Sequence, residues 1–84
     1  MTQDPDRQQK LDQLAHLKEL GEKAYDDMYG VHTPREADSC YRDAKECFYD
    51  AIALAGQLGL SDEAEALSNR LAHIRAVYRS QFAG

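Results

Sequence analysis

From residue 37 to residue 58, apolar side chains recur at alternating steps of four and three: Ala37, Tyr41, Ala44, Phe48, Ala51, Ala55 and Leu58. A turn of 3.6 residues gathers them on one side of an α-helix, whereas a strand would scatter them over both faces. Most of the series is alanine, so a neighbouring helix can come close. Cys40, Cys47, Ile52 and Leu54 add a second apolar side. A helix that is apolar on two sides is expected to lie between two others.

The punctuation around this segment agrees with that reading. Thr33-Pro34-Arg35-Glu36 has the form of a capping box with proline at the first helical position. Thr33 is placed to accept from the Glu36 amide, and Glu36 to reach back to the amide of Thr33. Gly30 and Gly59 follow the ends of apolar-periodic stretches, and each precedes an apolar residue, Val31 or Leu60. Both are expected to end helices in the left-handed conformation of a Schellman motif. Asp4-Pro5 reads as an N-cap followed by proline, and Ser61 as the cap of a further helix whose first turn carries Asp62 and Glu63.

These signals place helices at about 5–29, 34–58 and 62–82, with residues 1–4 and 83–84 frayed. The first carries Leu11, Leu14, Leu17, Gly21, Ala24 and Met28 at helical spacing. The third carries Leu67, Leu71, Ile74, Tyr78 and Gln81. Short connections make sequential helices antiparallel. The expectation is one all-α domain over residues 1–84, a three-helix bundle. A domain of this length buries only about 60% of the surface its unfolded chain exposes, so its stability is modest.

Leu17, Leu20, Gly21 and Ala24 resemble the L-x-x-L-G-x-x-A run in the first helix of a tetratricopeptide repeat, and Ala44, Phe48 and Ala51 the A-x3-F-x2-A run of its second. That resemblance implies a close helical hairpin in which small residues admit the partner helix and large ones fill the gap. The stretch from Tyr41-Arg42-Asp43-Ala44 through Tyr49-Asp50-Ala51-Ile52 to Tyr78-Arg79 is also similar to the microtubule-interacting-and-trafficking three-helix domain. The connection between the first two helices is longer than in the repeat, and the repeat's closing proline is replaced by Gly59. Both resemblances imply architecture and carry no specific activity.

The formal net charge is −5, from 15 acidic and 10 basic side chains. Such a balance repels nucleic-acid phosphates and anionic membranes, so neither is the expected partner. The longest apolar run, Ala51 to Gly56, is far short of a membrane span. Met1–Lys10 has no apolar core of a secretory signal. Cys40 and Cys47 are seven residues apart on one helix, about 10 Å, too far for a disulfide. Cytoplasmic residence is the expectation.

Nothing in the chain assembles a catalytic centre. His16, His32 and His73 have neither the i, i+4 spacing of a helical metal site nor a partner cysteine. Asp43, Glu46 and Asp50 line one side of the second helix without the further ligands a cation needs. They read as a solvated acidic face or a patch for a basic partner. No phosphate loop or nucleophile elbow is present. The expectation is a chain that is no enzyme and holds no cofactor or metal.

The aromatic residues all follow residue 24. Antiparallel helices gather Tyr25, Met28, Tyr29, Tyr41, Tyr78 and Phe82 at one pole, as either the end of the core or a contact surface, for which tyrosine and methionine are favoured. The function expected is that of a protein–protein interaction module, an adaptor or small regulatory subunit. It would bind a peptide, a helix or a second copy of itself, in a groove along the first and third helices or between the second and third. The alternative is a small ligand- or metal-binding carrier built on the carboxylates of the second helix and a histidine.

Overall fold

The structure, a computed structural model, describes residues 5–81. Three helices make up the fold: α1 (Pro5–Gly30), α2 (Pro34–Gln57) and α3 (Ser61–Gln81). There is no strand among the described residues. The Asp4 cap, Phe82 and the chain ends expected to fray lie outside them. No helix among the described residues is long and apolar enough to cross a membrane.

The two ends of α2 form much as their sequence requires. Thr33 is extended (φ −124°, ψ 151°), and its hydroxyl accepts from the Glu36 amide at 3.1 Å. The Glu36 carboxylate reaches one residue further back than a strict capping box, accepting from the His32 amide at 3.4 Å. At the other end Gly59 has φ +74°. Its amide donates to the Gly56 carbonyl, and the Leu60 amide donates to that of Ala55 at 2.9 Å. These are the paired bonds of a Schellman ending, and Leu60 packs back against the core.

Two boundaries differ from the expectation. Gly30 stays helical to the end of α1 and has no positive φ. The chain reverses instead through half-buried Val31 and extended Thr33, so no left-handed residue is needed there. Ser61 is the first residue of α3 rather than its cap, because the Leu60 carbonyl already accepts the first helical bond, from Ala64.

Cross-helix contacts give the directions. Arg7 at the start of α1 reaches Leu58 at the end of α2, and Asp38 near the start of α2 reaches Tyr78 near the end of α3. Lys18 and Glu22 of α1 meet Glu63 and Arg70 of α3 in the same chain order. The bundle is therefore up-down-up with α2 in the middle. Ala44, Ala51, Ala55 and Ile74 are completely buried, and Phe48 and Met28 nearly so. Gly21 faces the Phe48 ring so closely that a Cβ added there would stand 2.8 Å from the ring. Small residues bring α1 tight against α2, and Phe48 fills the space that Gly21 leaves.

Charged side chains close the seam between α1 and α3. Arg70 donates to both Glu22 carboxylate oxygens, at 2.7 and 2.8 Å, with its guanidinium 5.0 Å from the centre of the Tyr25 ring. That hydrogen bond, with the charge behind it, holds the Glu22 carboxyl below its ordinary value against the opposing effect of burial. Lys18 pairs with Glu63 nearby. Arg7 donates to the Leu58 carbonyl at 3.2 Å. It brings a cation to the negative end of α2, whose last turn has no basic residue of its own.

Two neighbouring glycines at this corner have opposite roles. Gly56 is helical with open space around its Cα, so Gly56→Ala should stabilise the domain by about 0.5–1 kcal/mol through the unfolded chain's lost freedom. Gly59→Ala forces a Cβ into the left-handed region and should cost about 1–2 kcal/mol. Thermal melts should move in opposite directions, by about 4–8 °C per kcal/mol in a domain of this size.

Candidate functional site

The aromatic set divides into two pairs and a core residue. Met28 is buried, and Tyr25 nearly so, in the core shared with Phe48 and Ile74. Tyr25 meets Tyr29 edge-on, with ring centres 5.4 Å apart and hydroxyls 3.0 Å apart. That hydrogen bond, followed by burial, raises the Tyr25 phenol above its ordinary value. Tyr41 and Tyr78 stack with centres 4.0 Å apart and planes 4° from parallel. Lys45 lies over the Tyr41 ring at 5.2 Å. The Tyr78 hydroxyl donates to Asp38 at 3.0 Å, which raises its phenol in turn. Most of these rings already have partners inside the chain. Tyr29, 51% exposed, is the member with the most solvent-exposed surface among those described.

The more extended apolar surface runs between α1 and α2, on the side away from α3. The helix spacing explains it. Leu17 and Ala24 flank the buried stripe of Leu14, Gly21 and Met28, and Leu20 lies beyond them. Cys47 and Leu54 hold the matching edge of α2. Two clefts of about 330 and 320 Å³ line up end to end here. Leu20, Ala24 and Cys47 lie in one, and Leu17 and Leu54 in the other. Leu20 is 40% exposed, the most open large aliphatic side chain among the described residues. The sequence placed the groove along α1 and α3 or between α2 and α3. The α1–α3 seam is crossed by the Glu22–Arg70 and Lys18–Glu63 pairs, and the two clefts above open between α1 and α2.

The walls of this groove are charged. Asp43, Glu46 and Asp50 stand along the α2 side and Asp27 on the α1 side, with Lys10 and Lys23 at the edges. Among the described residues, none of the four carboxylates makes a hydrogen bond or an ion pair. Elsewhere Glu22 pairs with Arg70, Glu63 with Lys18, and Asp38 with Arg42 and Tyr78. Burial raises the thiols of Cys40 and Cys47 above their ordinary value, and the acidic neighbours push the same way. Both are free thiols. Raised thiols stay protonated at neutral pH, so Cys47 acts as apolar groove lining and Cys40 packs against the core.

His16, His32 and His73 are all exposed. No three His, Cys, Asp or Glu side chains among the described residues converge to hold a metal ion. No family model, curated protein or solved structure matches the chain.

Proposed function

We propose that this domain is a protein–protein interaction module, an adaptor or small regulatory subunit, acting by binding rather than catalysis and working in the cytoplasm. The observation that carries the reading is the groove between α1 and α2, two adjoining clefts in which exposed Leu20 and half-buried Leu17, Ala24 and Cys47 lie among polar and charged side chains. The core does not need Leu20, which could be polar without loss to the interior. An open apolar groove rimmed by polar groups is the usual form of a docking site for a peptide or helix. Free thiols in a reducing compartment fit the same picture.

Leu20→Glu tests it. The substitution sits at an exposed helical position, so the melting temperature should stay nearly unchanged. Association with the partner should weaken by about tenfold or more, as when a residue worth more than 1 kcal/mol is removed from an interface centre. Partners captured by the wild-type domain from lysate of its source organism should be lost with the variant. An identical set captured by both would remove the groove from consideration and leave exposed Tyr29 as the next surface to test.

A further inference from the structure

We infer that the groove between α1 and α2 receives a basic amphipathic helix of a partner protein. This rests on the reading of that groove as a docking surface. It adds the chemistry of the occupant.

Charge carries the argument. Asp27, Asp43, Glu46 and Asp50 flank the groove and are all exposed. None has a hydrogen-bonding or ionic partner among the described residues, so each is open to a cation brought by an occupant. Three of the four stand on α2 at steps of three and four, so they form one continuous wall. The two lysines, Lys10 and Lys23, belong to α1 and stand at the edges of the groove. An occupant therefore meets an apolar floor beneath it and an acidic wall on its α2 side. Apolar residues at i, i+3, i+4 and i+7 would fill the floor, with lysine or arginine on one flank to face that wall. An acidic helix would be repelled by the wall, and a neutral one would leave it unpaired.

Dimensions suit a helix. The floor and walls run from Lys10 to Asp27 along α1, about 25 Å at 1.5 Å per residue, which matches an occupant of about 17 residues. Small residues line part of the floor: Ala24 and Cys47 stand with Leu20 in one cleft and leave room there for an occupant's larger side chains.

Two synthetic peptides of about 18 residues test the proposal. Both carry leucine at the same helical stripe. One has lysines on its flank and the other glutamates at the same positions. Fluorescence anisotropy would measure each against the full chain and two variants, Leu20→Ser and the triple neutralisation D43N/E46Q/D50N. Circular dichroism would confirm that both variants are folded. The lysine peptide is expected to bind the wild-type chain and to weaken at least about tenfold with either variant and with added salt. The glutamate peptide is expected not to bind. Equal or tighter binding of the glutamate peptide, abolished by Leu20→Ser, would overturn the basic occupant and leave the groove as a docking surface. Binding of the lysine peptide that neither variant alters would place the contact elsewhere and overturn both readings. If neither peptide binds, the basic helix is likewise overturned. Sedimentation of the wild-type chain as an oligomer, dispersed by Leu20→Ser, would then identify the occupant as a second copy.

Discussion

Replacing Phe48 by alanine is expected to cost about 3–5 kcal/mol, the largest loss of any single truncation in this chain. A domain of 84 residues has about 4–12 kcal/mol in total at the usual stability per residue, so the loss takes a large share of it. The ring is 1% exposed and fills the hollow opposite Gly21, where no side chain can swing in to replace it. Denaturant titration followed by circular dichroism measures the loss, and a cost under about 1 kcal/mol would mean the ring is not packed as described. A coupled pair of substitutions sharpens the test. Gly21→Ala alone gains about 1 kcal/mol of helix propensity but drives a methyl to within 2.8 Å of the ring, at an overpacking cost of about 1–3 kcal/mol. The net effect should be a loss. In a Phe48→Leu background the obstruction is gone and the same substitution should become stabilising. A double-mutant cycle with no coupling would show that the two residues do not touch.

The second large effect is overpacking at the centre of α2. Ala44 and Ala51 have no exposed surface at all. A leucine at either position has nowhere to go except into a neighbouring helix, and each substitution should cost about 1–3 kcal/mol. Melting temperatures should fall by about 4–8 °C for each kcal/mol. The same change at Ala53, an exposed position at the cleft between α1 and α2, serves as the control and should be nearly neutral for stability. Unchanged melting for both buried variants would mean that α2 is not the middle helix.

The helices were legible because their end signals are local. A Thr-Pro-x-Glu run or a glycine before a leucine acts within one turn, and hydrogen bonds at Thr33 and Gly59 follow from chemistry within six residues. The central place of α2 was legible for a related reason, since a helix with two apolar sides needs two neighbours. The groove was not. Whether Leu20 faces solvent or interior depends on how far α1 stands from α2, and that distance is set by Gly21 and Phe48 together, far apart in sequence. One signal was available: Leu20 falls outside the stripe of Leu14, Leu17, Gly21, Ala24 and Met28. The aromatic residues show the converse limit. Spacing brings Tyr25 and Tyr29 together one turn apart, but the stack of Tyr41 on Tyr78 joins two helices, and only the fold brings it about.

The unequal grip of α2 on its neighbours has a kinetic meaning. Small residues bring α1 and α2 closer along their length than α2 and α3, and they are joined by a three-residue turn with its own cap. A hairpin of that kind closes a short loop and collects its contacts early, so it should form most of the folding nucleus, with α3 docking afterwards. The order of amide exchange would then run from α3, released first, to α2, which opens only when the whole chain unfolds. The proposed docking groove lies on the hairpin that holds longest, so a bound helix would meet a surface already in place.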